Sequence, residues 1–526
     1  MPDLKQALRI LSASENLNLL TAIRRGIEKE SLRVTPEGKL ALTPHPRGLG
    51  SALTHPRITT DFSEALIELI TPPATSIDTT LQTLADIHRV TYDNIGDELL
   101  WVNSMPCALG DDSSIPIARY GSSNVAKMKE VYRTGLGNRY GRLMQTIAGI
   151  HYNWSAPDEC ISLLQTACGN SDSFQTFKTN TYFGLIRNFR RHTWLLLYLF
   201  GAAPAVCKSF VRDREHQLVP LGDDNHTLHA PYATSLRMGN LGYQSSAQES
   251  LYVCYNDIDS YTQTLRAALA TPYSAYEALG LKDADGNYVQ LNTHLLQIEN
   301  EFYSTVRPKR TTRSGETPLK ALRERGIEYV EVRCIDLNPF VPAGIDREQA
   351  DFLDIFLLYS LLTGSADIDR EEYQEILENQ LSTVYEGRKP GFTLQRRGQT
   401  VELRHWGSEL LAAMAPVAAL LDSAFATNRF SQCLATMQRR LDHSEETPSA
   451  RILEELRQQK ITFFQWGLAK SRQHKASIQA CDVDAKTAAI YEEMAAQSLL
   501  DQAQIEAADT RTFEDYVAAY YAQHQY

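Results

Sequence analysis

Four short segments of this chain place carboxylates or a histidine on alternate residues of probable strands, and no other feature constrains its fold as tightly. They are Gly26-Ile27-Glu28-Lys29-Glu30, the stretch from Asp61 to Glu68, Ile150-His151-Tyr152-Asn153-Trp154, and Tyr329-Val330-Glu331-Val332-Arg333. Side chains two apart on a strand share a face. Glu28 and Glu30 therefore point the same way, as do His151 and Asn153, and Tyr329, Glu331 and Arg333. An unpaired buried charge is very costly, so such faces need either water or cations. Carboxylates with one imidazole suit Mg²⁺ or Mn²⁺ better than softer metals. Arginines beside them extend the reading to a metal–nucleotide complex. Glu64 and Glu68 also fit helical spacing in an apolar stretch, where like charges at i and i+4 repel unless something positive lies between them. Taken singly, each segment has a plainer reading. Glu28 and Glu30 fit a solvated strand face, His151 fits a core histidine, and Glu331 fits an ion pair with Arg333.

With 526 residues, 43% hydrophobic and 22% charged, the chain has the composition of a soluble globular protein large enough for an extensive core. Its net charge of −12 disfavours nonspecific binding to nucleic acid or membrane surfaces. No secretory signal is read at the N-terminus, where Met1 to Lys5 lead into an amphipathic pattern. The longest apolar stretch, 194–206, contains Gly201 and Pro204 and is shorter than the about 20 residues a spanning helix needs. Eight scattered cysteines without a C-x-x-C pair argue against a zinc ribbon or a dense disulfide framework. A cytoplasmic location with mostly reduced thiols is expected.

Hydrophobic periodicity predicts a helix over residues 1–22, mixed strands and helices over 26–160, and a helix over 182–200. Strand-like segments follow at 289–295, 296–303 and 327–335, with a hairpin-type turn over 283–287. Asp346 fits an N-cap ahead of a helix reaching about Leu362. Beyond about 405 the chain reads as helical, over 408–421, 451–468, 485–506 and 513–523. There is no P-loop and no H-E-x-x-H. Gly135 to Gly141 has glycines at the wrong spacing for dinucleotide binding and reads as a turn. Residues 307–313 hold four cations within seven positions, Arg307, Lys309, Arg310 and Arg313. They form either a solvated loop or a grip on phosphate. Glu386 to Gly391 is a second loop of this kind.

Together these segments resemble the glutamate–cysteine ligases of the proteobacterial type. The matching stretches are Arg25 to Arg33, Gly50 to Thr71, Asn138 to Asn153, Pro231 to Arg237, Leu296 to Glu301, Arg307 to Glu316, Gly326 to Pro339 and Glu386 to Gly391. The resemblance implies an α+β fold related to glutamine synthetase. Its curved, mainly antiparallel sheet forms a funnel-shaped active site, with flanking helices and a helical C-terminal region. It implies a catalytic region over 1–400, with 401–526 packed on the same domain. It implies ATP-dependent joining of the γ-carboxylate of L-glutamate to the amine of L-cysteine through a γ-glutamyl phosphate, the first step of glutathione synthesis. Mg²⁺, with Mn²⁺ as an alternative, is the implied cofactor, and a monomer is expected. The implied metal ligands are Glu28, Glu30, Asp61, Glu68, His151 and Glu331. Tyr132, Arg133, Gln145, Arg237, Tyr243 and Tyr303 fall where the family lines its amino-acid pockets, and Phe62 is read with the aromatics that shape a small thiol pocket. Arg237 and Arg333 fall at catalytic positions, Arg333 also meeting phosphate, and charge assigns Arg307, Lys309 and Arg310 to the nucleotide. A ligase using another amine, a noncatalytic metal-binding protein and a metal-dependent hydrolase remain as alternatives.

Overall fold

The alternation is realised as one antiparallel sheet in a computed structural model that describes residues 2–524 apart from 213, 223–224, 243–245, 249–250, 314 and 482. Its strands are β1 (Arg24–Val34), β2 (Ile58–Thr60), β3 (Leu66–Ile70), β4 (Leu99–Leu100), β5 (Ile150–Ser155), β6 (Val306–Lys309) and β7 (Tyr329–Ile335). The order is β2-β3-β1-β5-β7-β6, with β4 paired to the far end of β1. Register sets the functional face. Glu30 lies opposite Glu68, Glu28 opposite His151, Asn153 opposite Glu331, and Glu331 opposite Arg307.

The opposite face is mostly apolar: the intervening residues Ile27, Ile67, Leu69, Tyr152, Trp154, Val330 and Val332 are all fully buried, with Arg25, Lys29 and Ser31 as its buried polar positions on β1. Behind it pack two largely buried helices, Phe174–Phe200 and Arg347–Leu362. Phe189 meets Phe356 edge-on at 5.4 Å between them. One buried ion pair crosses this layer. Arg25 of β1 donates through Nε and Nη2 to Asp354, and through Nη1 to the carbonyls of Ile23 and Thr75. Tyr152 Oη also reaches Asp354. With all three guanidinium nitrogens engaged, the pair fixes the sheet against the helix without leaving a buried charge unmatched.

Several elements differ from the sequence reading. The 61–70 segment is not helical: Glu68 sits on β3, and Glu64 turns away to accept the backbone N–H groups of His45 and Arg119. Gly135 and Gly137 lie inside a helix, Asn124–Tyr140, that ends at Gly141 with φ +84°. A Cβ at Gly135 would collide with the Gln297 amide, so close packing overrides helix propensity there. The 289–303 segment forms no strand. Side chains satisfy its backbone instead, Leu291 N–H donating to Gln297, His294 N–H to Asn292 and Gln297 N–H to Glu301. The first helix is shorter, Leu4–Leu11, followed by a 3₁₀ segment. The 451–468 helix is two helices, Pro448–Gln459 and Phe463–Gln479, separated at Lys460 with φ +51°. Cys107 and Cys207 are joined by a disulfide, and the other six cysteines, Cys168 among them, are free.

Candidate active site

The front of the sheet forms the floor of a cavity of about 690 Å³. Glu28, His151 and Glu331 each offer one ligand atom, all within 4.8 Å of one another. His151 Nδ1 stands 3.2 Å from Glu28 Oε2, and Asn153 donates to Glu28 Oε1 at 2.8 Å. Glu30, Glu68 and Asp61 line the same floor one step along the sheet. Glu30 is held by the Gly149 N–H at 2.7 Å and lies 3.9 Å from His151 Nε2. Arg333 donates to Glu331 at 3.0 Å, with Lys309 at 3.2 Å from its other oxygen.

Charge divides this floor into two parts. Burial pushes the Glu331 carboxyl up, but Lys309, Arg333, His151 and Arg307 outweigh it and hold the group well below the usual range. Burial likewise opposes ionisation of Glu28, yet its bond with His151 and the Lys309 charge leave it below its ordinary value. On the other side, burial pushes Glu30 up despite the pull of His151, with Asp61 adding to the rise. Burial raises Glu68 furthest, and Glu28, Asp61 and Glu30 reinforce it. Four carboxylates packed this closely want positive charge among them. His151 Nε2 is buried with no hydrogen-bond partner among the described residues, which leaves a lone pair for a metal. Oxygen donors with one imidazole fit a hard divalent cation such as Mg²⁺ or Mn²⁺.

The walls hold most of the remaining expected residues. Phe62, Tyr132, Arg133, Gln145 and Tyr303 line one side, with Gln145 Nε2 donating to Tyr303 Oη at 3.2 Å. Arg307 and Lys309 line the other. Two expected residues stand elsewhere. Arg310 borders a neighbouring cleft of about 320 Å³, which it shares with Arg307 and Lys309, and lies 3.9 Å from Glu328. Arg237 is fully buried behind the wall, where its Nη2 donates to the Arg333 carbonyl at 3.0 Å. Gly149 makes room for it, since a Cβ there would overlap the guanidinium. Tyr243 lies outside the described residues. The Glu386–Gly391 loop is structural: Arg388 donates to the Ala233 and Pro231 carbonyls.

Lys129, Tyr516 and Tyr520 are among the wall residues that carried no site signal in the sequence. Lys129 comes from the helix misread at its glycines. Tyr516 and Tyr520 come from the C-terminal helix Phe513–Ala522. Tyr520 Oη bonds Glu299 at 3.1 Å, and Gln523 bonds the Gly315 carbonyl and the Thr317 N–H. The tail thus forms part of the rim beside the basic loop.

Residues 8–383 match the sequence profile of the glutamate–cysteine ligase family. A glutamate–cysteine ligase of Saccharophagus degradans is 53% identical over 514 residues, 97% of each chain. That of Alcanivorax borkumensis is 51% identical, covering 99% of this chain and 100% of its own. Among solved structures, the glutamate–cysteine ligase of Francisella tularensis in complex with AMP superposes with a TM-score of 0.90 at 36% identity, over 96% of this chain and 98% of that one. A bifunctional glutathione synthetase of Pasteurella multocida shares the fold at 24% identity, with a TM-score of 0.73 over 93% of this chain and 58% of its own. The fold and these likenesses define a ligase. The chain belongs to the glutamate–cysteine ligase family.

Proposed function

We propose that this chain uses ATP to join the γ-carboxylate of L-glutamate to the amine of L-cysteine, releasing ADP and phosphate, in the acid-lined cavity. One observation carries this reading. A row of carboxylates and one histidine faces Arg333, Lys309 and Arg307 within a single cavity, in a chain half identical to glutamate–cysteine ligases along its full length.

A carboxylate is a poor electrophile, so it must first take the γ-phosphoryl group of ATP and become an acyl phosphate. That requires two anions to meet, and the site's cations lower the repulsion. Glu28, Glu30, Asp61, Glu68, His151 and Glu331 would hold divalent cations that neutralise phosphate charge. Arg333, fixed by Glu331, reaches the transferring phosphoryl group with a planar fork. Arg237 positions it through the Arg333 carbonyl. Arg307 and Lys309 take the remaining phosphates, and Arg310 stands beside them. The cysteine amine then attacks the acyl carbon and phosphate leaves, with Arg333 balancing the developing charge. Phe62, Tyr132, Arg133, Gln145 and Tyr303, with Tyr243 expected beside them, shape the amino-acid pockets and limit water. Residues 1–400 carry this chemistry, and the 401–526 region completes the rim. Cytoplasmic action accords with six of the eight cysteines being free, and action as a monomer is part of the same proposal.

ADP release measured with each amino acid omitted in turn tests the assignment. Release that requires glutamate and is completed by cysteine supports it. Release without glutamate points to a hydrolase, and equal coupling with alanine or ammonia points to a ligase for another amine.

A further inference from the structure

On the far side of Tyr303 lies a second cavity, of about 370 Å³, that the proposed reaction does not use. Arg190, from the Phe174–Phe200 helix, lines it. The guanidinium carbon lies 4.3 Å from the ring centre of Tyr255 and 4.7 Å from that of Tyr373. Only 8% of Arg190 is exposed, and it has no hydrogen bond or ion pair among the described residues. Its neighbours on the same helix behave differently. Arg187 donates to the carbonyls of Tyr255 and Asn256, and Arg191 is paired with Glu372.

Stacking uses the faces of a guanidinium and leaves its N–H edge unanswered. That edge faces the cavity, where an acceptor from a ligand can meet it. A planar carboxylate matches that edge with two parallel hydrogen bonds. The other walls suit the rest of such a ligand. Asn240 and Gln380 offer amides, Phe302 and Leu377 offer apolar surface, and Glu378 stands exposed among the lining residues. One arginine beside an acid is a poor seat for a polyphosphate and a good one for a single carboxylate attached to an amide.

We propose that this cavity is a second binding site, distinct from the reaction cavity, for a small carboxylate of the amino-acid or short-peptide class seated on Arg190. Tyr303 connects the two sites. It lines both cavities, its N–H donates to Gln248 Oε1 at 3.1 Å, and its hydroxyl takes the Gln145 hydrogen bond. A ligand on Arg190 therefore touches the residues that hold a wall of the reaction cavity. The binding claim itself stands apart from the identity of the reaction.

The test is calorimetric titration of the full chain with N-acetylglycine, its N-methylamide and inorganic phosphate. Wild type, Arg190→Met, Leu377→Trp and Arg333→Met are compared, each checked for a native melting transition. N-acetylglycine should bind wild type and Arg333→Met alike and weaken about thirty-fold in Arg190→Met. Leu377→Trp fills the cavity without touching the arginine, so it should also abolish binding, which keeps the test valid if Arg190→Met fails to fold. The methylamide and phosphate should bind far more weakly. The proposal is overturned if N-acetylglycine does not bind wild type, or binds Leu377→Trp unchanged. It is also overturned if binding is lost in Arg333→Met, or if the methylamide or phosphate binds as well.

Discussion

Replacing Glu68 by Gln should make the metal-free protein more stable while crippling the enzyme. Glu68 lies opposite Glu30 across the β1–β3 ladder, and burial together with Glu28, Asp61 and Glu30 drives its carboxyl towards the neutral form. Cross-strand carboxylates about 5 Å apart repel by about 3 kcal/mol at an effective dielectric of about 20. Glu68 is only half-buried and Glu30 itself leans towards protonation, so a gain of about 1–2 kcal/mol is expected at neutral pH. For a chain of this size that is a rise in melting temperature of about 1–2 °C. The pH dependence has a definite sign. A carboxyl whose folded pKa lies above its unfolded value of 4.5 is neutral in both states at low pH, and destabilises the fold as pH rises past that value. The advantage of Glu68→Gln should therefore vanish below about pH 4.5 and grow above it. Differential scanning calorimetry in EDTA across pH measures it. Adding Mg²⁺ should reverse the order, because wild type gains the tighter ion. A variant no more stable than wild type in EDTA at pH 8, or a gap that ignores pH, would refute the reasoning.

Arg333→Lys keeps the charge but loses the planar fork, so kcat should fall about 100-fold with a much smaller change in the glutamate KM, read from steady-state kinetics. If the main change were in melting temperature with turnover intact, Arg333 would be only an ion-pair partner of Glu331. Gly149→Ala pushes a Cβ into Arg237 and should lower stability by about 2–3 kcal/mol, measured by chemical denaturation, with activity lost even in the folded fraction. Tyr516→Ala opens the rim and should raise the KM for ATP several-fold while leaving that for cysteine near wild type, and equal effects on both would remove the tail from the nucleotide end.

The acid-lined face was readable because period-two alternation survives single-sequence analysis when charges replace one of the two faces. Glu28 with Glu30, His151 with Asn153, and Glu331 with Arg333 stand on the faces that alternation assigns them. The capping aspartate at 346 was equally plain, with its side chain accepting from the Gln349 N–H. The failures have physical causes. Gly135 and Gly137 weaken helix propensity, but Gln297 presses so closely on Gly135 that a Cβ there would collide with its amide. Residues 289–303 carry strand-forming side chains, yet Asn292, Gln297 and Glu301 satisfy the backbone locally and no partner strand is needed. Tyr516 and Tyr520 lie about 200 residues beyond the basic loop they adjoin, and nothing in a helical tail tells which face will meet a cavity. Cys107 and Cys207, 100 residues apart, are likewise brought together only by the fold.

The central claim is that the acid-lined face brings the γ-carboxylate of glutamate and the γ-phosphoryl group of ATP into reaction before the amine arrives. Glutamate labelled with ¹⁸O in its γ-carboxylate tests this directly. Passage through an acyl phosphate transfers one carboxylate oxygen to the departing phosphate in every turnover, and mass spectrometry of the phosphate counts it. The account predicts one ¹⁸O in each phosphate released with cysteine present. Unlabelled phosphate, formed at the same rate as the peptide product, would contradict it.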